Sequence, residues 1–158
     1  MRLEFNTENT AQTEEAGRRL AELLEGAGIS RAFIALRGEM GVGKTAFTRG
    51  FASHFGIGAV KSPTFTVLNE YRGRCRIHHF DLYRITDGDD LYSIGFDDII
   101  EEEGYSVAEW SENIEDYLPN GHITVTISRL SVGSAGYDTE GRDTSLRKIS
   151  IDIPGIKE

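Results

Sequence analysis

One short segment of the chain carries residue types at a spacing suited to binding phosphate. It reads Gly38-Glu39-Met40-Gly41-Val42-Gly43-Lys44-Thr45 and fits the pattern G-x-x-x-x-G-K-[ST] in full. Glycines let the backbone fold around phosphate oxygens so that consecutive N–H groups point inward. Lys44 can then reach β- and γ-phosphate oxygens, and the Thr45 hydroxyl can ligate Mg²⁺. The pattern therefore predicts a nucleotide-binding phosphate loop rather than a chance glycine-rich turn. The residues predicted to contact the nucleotide here are Met40, Gly41, Val42, Gly43, Lys44, Thr45 and Ala46.

The elements that must position this loop lie on both sides of it. The segment Ala32–Leu36 is continuously apolar, as expected of a strand buried on both faces. After the loop, Phe47, Phe51 and Phe55 recur every four residues and predict a helix with one buried face. The positive end of that helix points at the phosphates.

The rest of the chain alternates early between strand and helix patterns and ends in paired strands. A helix with Asn9 as its N-cap and Gln12 at capping-box spacing precedes the central strand. An acidic segment, 87–103, has short helical patches. These patterns predict an α/β sandwich with a mixed sheet, built as one domain over residues 1–158 that includes a C-terminal hairpin at about 122–153. Other predicted strands are 2–5, 66–71, 75–81, 105–110, 122–128 and 146–153, with a polar loop at 131–145.

The amino-acid composition argues against several classes of function. Its 158 residues include 17 Lys and Arg against 26 Asp and Glu, a formal net charge of −9. Because Lys and Arg carry most phosphate binding, a chain this acidic is not expected to bind nucleic acid or an anionic membrane unaided. The single cysteine, Cys75, excludes an intramolecular disulfide and a cysteine-rich zinc site. We expect a cytoplasmic protein, because the sequence shows no signal peptide and no apolar run that could span a membrane.

A Mg²⁺-dependent phosphate loop also needs an acidic residue at the end of a strand. Two candidates fit, since Asp81 ends the predicted strand 75–81 and Glu109 lies at the end of the predicted strand 105–110. Sequence spacing alone does not rank the two. Other acids, at 97–98 and 101–103, lie in a polar run that is typical of a solvated face.

Weaker patterns have ordinary explanations beside functional ones. A hydroxyl in the segment 62–66 (S-P-T-F-T) could meet the γ-phosphate or Mg²⁺, as switch loops do, or the segment could be a proline turn that starts a strand. His78 and His79 are neighbours on a predicted strand and point to opposite faces, which favours packing or hydrogen bonding over a shared metal ion. The segment 138–141 (D-T-E-G) matches the D-x-x-G pattern of GTPases, but its surroundings predict a turn. Because no N-K-x-D guanine-binding pattern occurs, adenine is favoured over guanine.

Taken in order, several segments closely resemble the TsaE (YjeE) family of small bacterial ATPases. They are the phosphate loop, 62–65 (S-P-T-F), 79–84 (H-F-D-L-Y-R) and 109–110 (E-W). The resemblance covers the chain from about Thr13 to about Ser128 and implies a P-loop NTPase α/β sandwich, with a mixed, partly antiparallel sheet flanked by helices. It also implies weak ATP hydrolysis by the chain alone and a part in making threonylcarbamoyladenosine in tRNA. The implied partners are TsaD and TsaB, which would perform carbamoyl transfer and hold tRNA.

The same resemblance implies roles for individual residues. Lys44 and Thr45 match the family's phosphate and metal residues, and Glu109 matches its Mg²⁺-ligating acid. Asp81 matches the acid implicated in ATP hydrolysis. The implied cofactors are therefore ATP and Mg²⁺.

Further positions match the family less completely. Thr64 falls in its switch-like loop, and Thr13 matches a helix-start threonine near the bound nucleotide. Ala46 departs from the family, because many members carry a second threonine there. That departure removes one possible hydroxyl contact to the α-phosphate but leaves the backbone donor.

The lead hypothesis is therefore an ATPase subunit of a tRNA-modifying complex. A second is a P-loop small-molecule kinase, since such kinases have a similar size, although no Arg-rich helical lid is evident beside the cluster of Arg72, Arg74 and Arg76. A third is a non-catalytic, nucleotide-dependent docking protein that binds a partner through the acidic segment 87–103. ATP turnover measured with and without partner proteins separates the three.

Overall fold

A mixed sheet with helices on both faces organises the chain. The computed structural model describes residues 1–63, 66–130 and 145–157. Its strands are β1 (Arg2–Thr7), β2 (Arg31–Arg37), β3 (Leu68–Arg72), β4 (Arg76–Asp81), β5 (Gly104–Glu109), β6 (Ile123–Arg129) and β7 (Arg147–Asp152). Its helices are α1 (Thr10–Gly26), α2 (Lys44–Ser53), α3 (Gly88–Ser93), α4 (Phe96–Glu101) and a 3₁₀ helix at Ser111–Tyr117. The seven strands described lie in the order β1-β7-β6-β2-β5-β4-β3.

The centre of the sheet is parallel and its edges are antiparallel. β2 pairs in parallel with β5 and β6, and β4 pairs in parallel with β5. β7 pairs antiparallel with β6 and β1, and β3 pairs antiparallel with β4. The mixed, partly antiparallel sheet expected from the sequence is therefore confirmed. The apolar segment Ala32–Leu36 lies in the central strand, where both faces are covered.

Helices α1 and α2 pack closely together on one face of the sheet. Asn9 caps α1, as predicted, by accepting a hydrogen bond from the Gln12 backbone N–H at 2.9 Å. The Gln12 side chain accepts from the Glu8 N–H at 2.8 Å, one residue before the position of an ideal capping box. The helices touch where glycine is required, because a Cβ on Gly17 would lie 2.1 Å from the Phe47 carbonyl oxygen. This contact places α2, and with it the phosphate loop.

The opposite face is covered by α3, α4 and the 3₁₀ helix. Phe96 of α4 packs edge-on against Phe33 and Phe80 of the sheet, with ring centroids 5.7 and 5.4 Å apart. Asp87 caps α3 by accepting a hydrogen bond from the Asp90 N–H at 2.9 Å. The short helical patches predicted in the acidic segment 87–103 are therefore present as α3 and α4.

Strand ends differ from the predicted ones for local reasons. The strand predicted from Thr66 begins at Leu68, because Thr66 lies in a turn and Val67 has a positive φ of 66°. The strand predicted to include Trp110 ends at Glu109, because Trp110 has a positive φ of 60°, outside the β region. This turn at Trp110 lies directly beside the candidate site.

The polar loop predicted at 131–145 lies outside the described residues except for Ser145. Among the helices that the structure describes, none is long and apolar enough to cross a membrane.

Candidate nucleotide-binding site

The residues predicted to do chemistry converge at the carboxyl ends of the parallel strands. β2 leads into the phosphate loop, β4 ends at Asp81, and β5 ends at Glu109. Because these strands are parallel, their carboxyl ends meet at one end of the sheet, where open α/β sheets bind ligands. A cavity of about 320 Å³ opens there. Its lining residues are Met40, Gly41, Lys44, Thr45, Ser62, Val67, Asp81, Tyr83, Arg84, Glu109 and Trp110.

The phosphate loop has a conformation that depends on its glycines. Gly38 and Gly43 have positive φ angles of 151° and 117°. A Cβ on Gly38 would lie 2.5 Å from the Ile127 carbonyl oxygen, so a larger residue would push the loop away from β6. Gly43 is the N-cap of α2 and brings no capping side chain. The first N–H groups of α2 are therefore available to an anion.

Lys44 is held inside the site by groups that a phosphate can replace. Its Nζ donates a hydrogen bond to the Gly38 carbonyl oxygen at 2.8 Å and lies 4.1 Å from the centroid of the Trp110 ring. Burial lowers the pKa of Lys44, although nearby carboxylates, with Glu109 the strongest, act in the opposite direction. Burial disfavours the charged form of the Lys44 ammonium. The negative charge of a bound phosphate would stabilise that charged form.

Asp81 and Glu109 lie side by side at the ends of β4 and β5. They are register partners in the parallel pairing, so both side chains project from the same face of the sheet. Both are buried, with 8% and 7% of their surface exposed. Oδ1 of Asp81 accepts a hydrogen bond from the Tyr83 N–H at 3.0 Å. The structure does not choose between the two acids that the sequence left unranked, because it brings both into the cavity.

His79 orients the Glu109 carboxylate. Its Nε2 lies 2.7 Å from Glu109 Oε2, and both side chains are buried. An ionised carboxylate can only accept, so the imidazole donates its Nε2–H. Nδ1 of His79 is also buried and has no hydrogen-bond partner among the described residues. A hydrogen bond, one of the two ordinary roles predicted for this histidine, is present, and its partner is one of the two candidate acids.

His78 points away from His79, as the two-residue period of a strand predicts. Its Nε2 lies 3.7 Å from Glu70 and 3.8 Å from Glu102. Burial lowers the pKa of His78, although these two carboxylates act in the opposite direction. This histidine therefore belongs to the packing of β4 rather than to the candidate site.

The oxygen donors in the cavity fit a magnesium ion. The Thr45 hydroxyl and the Glu109 carboxylate line the same cavity, and hard oxygen ligands of this kind suit Mg²⁺. Mg²⁺ is usually held by few protein groups together with water and substrate phosphates. Within the described ranges, no group of three or more His, Cys, Asp and Glu could hold a metal ion on its own. The oxygen donors present therefore fit an ion that would take its remaining ligands from water and phosphate.

A second, smaller cavity of about 100 Å³ borders the same loop. The Thr13 hydroxyl, at its edge, lies 3.1 Å from the Thr7 hydroxyl. The structure thus divides the predicted contacts between two cavities. Met40, Lys44, Thr45, Asp81 and Glu109 line the larger one, Thr13, Val42, Gly43 and Ala46 line the smaller one, and Gly41 reaches both. Thr64 lies outside the described residues.

Sequence reasoning misses two arginines that contact the loop. Arg129 donates to the Met40 carbonyl oxygen at 3.2 Å, and Arg147 donates to the Val42 carbonyl oxygen at 2.8 Å. No local sequence pattern identifies them, because their strands lie far from the loop along the chain. His79 did carry a usable signal, since a residue two positions before Asp81 on a strand shares its face.

The fold is a mixed α/β sheet flanked by helices, in which a glycine-rich loop with the P-loop sequence pattern joins a central parallel strand to a helix beside two strand-end acids. The chain belongs to the TsaE family, since the family model described as threonylcarbamoyl adenosine biosynthesis protein TsaE matches residues 7–135.

Relatives named tRNA threonylcarbamoyladenosine biosynthesis protein TsaE share much of the sequence. The chain is 35% identical to that of Treponema pallidum over 102 residues, which cover 64% of this chain and 76% of the relative. It is 39% identical to that of Haemophilus influenzae over 115 residues, covering 70% and 72%. With the Bacillus subtilis relative it shares 39% identity over 98 residues, 61% of each chain. A crystal structure of Bacillus subtilis YdiB superposes with a TM-score of 0.70 at 27% identity, covering 98% of this chain and 87% of that one. The family resemblance seen in the sequence is confirmed.

Proposed function

We propose that this chain binds ATP with Mg²⁺ and hydrolyses it to support threonylcarbamoyladenosine modification of tRNA, together with TsaD-like and TsaB-like proteins. One observation carries the proposal: Lys44, Thr45, Asp81 and Glu109 line a single cavity at the carboxyl ends of parallel strands. Membership of the TsaE family supports the choice of pathway. The net charge of −9 agrees with a division of labour in which the partners hold the tRNA.

Phosphate binding is the role of the loop and Lys44. The N–H groups at the start of α2 and the Lys44 ammonium are the donors, and Lys44 exchanges the Gly38 oxygen for a phosphate oxygen. A hydrogen bond to a charged group contributes about 1.5–3 kcal/mol. Adenine is the preferred base, because the sequence has no guanine-binding N-K-x-D pattern.

Thr45 and Glu109 are the residues that would hold Mg²⁺, which when bound neutralises charge on the β- and γ-phosphates. His79 keeps the Glu109 carboxylate in one orientation through the 2.7 Å hydrogen bond. Because the imidazole is fully buried, this orientation is set by the protein core.

Hydrolysis requires an oriented water, and Asp81 is the residue placed to hold it. The Tyr83 N–H fixes Asp81 Oδ1, so the other carboxylate oxygen accepts from the water. The Lys44 ammonium is the buried cation at the site, whereas Arg84 lines the cavity but is exposed. Partner binding that turns Arg84 inward, or supplies a cation, would accelerate turnover by about 10³–10⁵, the value of such groups in GTPases. The chain alone therefore turns over ATP slowly.

The kinase hypothesis is not favoured by the hairpin arginines. Each has an acidic partner, with distances of 2.9 Å for Arg72–Glu70, 3.0 Å for Arg74–Glu25 and 2.6 Å for Arg76–Glu102. Lid arginines of kinases must instead be able to reach the phosphates.

The test is ATP turnover by the purified chain, alone and with TsaD-like and TsaB-like proteins. We expect slow hydrolysis alone and a marked rise in the complex. Equal rates in both cases would contradict partner-dependent hydrolysis, and phosphorylation of a small metabolite would favour a kinase. Nucleotide binding without turnover in either case would favour a docking protein.

A further inference from the structure

Two arginines from neighbouring strands hold carbonyl oxygens of the phosphate loop. Arg129 ends β6, Arg147 begins β7, and the two are register partners. Nη2 of Arg129 donates to the Met40 oxygen at 3.2 Å, while its Nη1 donates to the Glu39 carboxylate at 2.6 Å. Nε of Arg147 donates to the Val42 oxygen at 2.8 Å, in a buried contact. The two arginines thus each hold a different peptide group of the loop.

The direction of a carbonyl determines the direction of the next N–H group. In a trans peptide the C=O and N–H bonds point in opposite directions, and the described residues contain no cis peptide. The Met40 carbonyl shares its peptide with the Gly41 N–H, and the Val42 carbonyl shares its peptide with the Gly43 N–H. A guanidinium that holds either carbonyl therefore turns the following N–H to the opposite side.

The glycines make such a restraint useful. Gly41 and Gly43 have positive φ angles of 74° and 117° and no side chain that could limit their motion. Donors aimed in advance at a developing or bound negative charge bind it without reorganisation. A loop of flexible glycines gains this property only if something outside it holds its peptide planes.

We propose that Arg129 and Arg147 are positioning residues that aim the Gly41 and Gly43 N–H groups, respectively, at a nucleotide phosphate. The inference rests on the proposed function, since it takes the diphosphate of ADP or ATP as the ligand. Arg147 lies beyond residues 7–135, the part that the family model matches. The C-terminal strand therefore completes the phosphate site in addition to pairing within the sheet.

The experiment uses the full chain labelled with ¹⁵N at glycine and titrated with ADP and Mg²⁺. In the unmodified chain the amide signals of both Gly41 and Gly43 move on binding. Arg147→Met removes the response of Gly43 and leaves that of Gly41, whereas Arg129→Met does the reverse. Each variant also raises the Kd for ADP about tenfold, as expected for one hydrogen bond from a charged donor. Arg147→Lys restores part of the Gly43 response, because an ammonium can also donate to a carbonyl.

Lys148→Met is the matched control. Lys148 follows Arg147 on β7, projects from the opposite face, and lies 3.9 Å from Glu4 on the neighbouring edge strand β1. It should change neither glycine signal nor the ADP affinity. If Arg147→Met does not fold, Arg129→Met and Arg147→Lys still carry the test.

Loss of both glycine responses in each arginine variant, or of neither, overturns the assignment of one arginine to one glycine. In that case ADP still binds the unmodified chain, and the proposed function stands. Absence of any response to ADP in the unmodified chain contradicts the proposed function itself.

Discussion

A cavity beside the amino ends of β2 and β6 is larger than the cavity at the carboxyl ends that forms the candidate site. Its volume is about 380 Å³, against about 320 Å³ for the candidate site. In the amino-end cavity, Arg31 pairs with Glu101 at 3.3 Å, and His122 Nδ1 lies 2.9 Å from the Pro119 carbonyl oxygen. These three polar side chains have partners that belong to the fold itself.

The carboxyl-end cavity differs in what its groups would gain from a ligand. Among the described residues, the Lys44 ammonium has a carbonyl oxygen and an aromatic face as its partners, next to the positive end of α2. Asp81 and Glu109 bring two carboxylates to the same place. A metal-bound phosphate would complete this arrangement, whereas it would disrupt the pairs at the other end. The comparison shows that the direction of the strands and the pairing of charges, rather than volume, identify the site.

The largest expected effect is on ATP turnover, which variants in the carboxyl-end cavity should reduce and a variant in the amino-end cavity should not. Asp81→Asn and Glu109→Gln should each reduce partner-stimulated ATP turnover by about 10²–10⁴-fold, because both remove a charged group from the reacting region. Asp81→Asn should leave ATP affinity nearly unchanged, whereas Glu109→Gln should shift the Mg²⁺ dependence to higher concentration. Glu101→Gln in the amino-end cavity is the control and should keep full turnover. A normal Mg²⁺ dependence of Glu109→Gln would remove Glu109 from the metal site.

The next effect concerns affinity rather than rate. Lys44→Ala should weaken ATP binding by on the order of 2 kcal/mol or about 30-fold, through loss of a charge-assisted contact. Isothermal titration calorimetry at low salt measures it. Arg31→Ala, which removes the cation of the other cavity, should bind ATP as the unmodified chain does. Unchanged affinity of Lys44→Ala would refute the phosphate-loop assignment.

A spectroscopic effect tests the position of the site directly. Trp110 is the only tryptophan, lies beside Glu109, and is in contact with Lys44. Mg-nucleotide binding should therefore change the intrinsic fluorescence, and ATP should compete better than GTP. Equal competition by GTP would remove the adenine preference. A flat titration in a preparation that binds ATP by calorimetry would place the ligand away from Trp110.

The smallest effect concerns stability outside both cavities. Burial lowers the pKa of His78, so unfolding is accompanied by proton uptake near the ordinary histidine pKa. His78 therefore leaves stability unaffected above about pH 6.5 and lowers it as the pH falls below that value. His78→Gln should make the urea midpoint fall less between pH 7 and pH 5. An equal fall in both proteins would mean that His78 does not contribute to acid sensitivity.

Local patterns predicted the phosphate loop, its strand and its helix, because these features depend on neighbours within the same segment. The adjacency of Asp81 and Glu109 depends instead on the parallel pairing of β4 with β5, which no short pattern specifies. The bond between Arg147 and Val42 joins residues separated by 105 positions, so it could be found only in the folded chain. The His79–Glu109 contact was predictable in part. The two-residue period of the strand predicts the face on which His79 lies but not its partner.

The sheet order has a consequence for how the protein is made on the ribosome. Among the described strands β1 pairs only with β7, so β1 stays unpaired in the sheet until β7, about 140 residues later, has been synthesised. Pairing between such distant segments slows folding. Val42 likewise receives its guanidinium only after Arg147 has left the ribosome. A growing chain thus carries the complete phosphate-loop motif about a hundred residues before it carries the arginine that holds the Val42 carbonyl, so a nucleotide would bind the emerging loop more weakly than the folded protein.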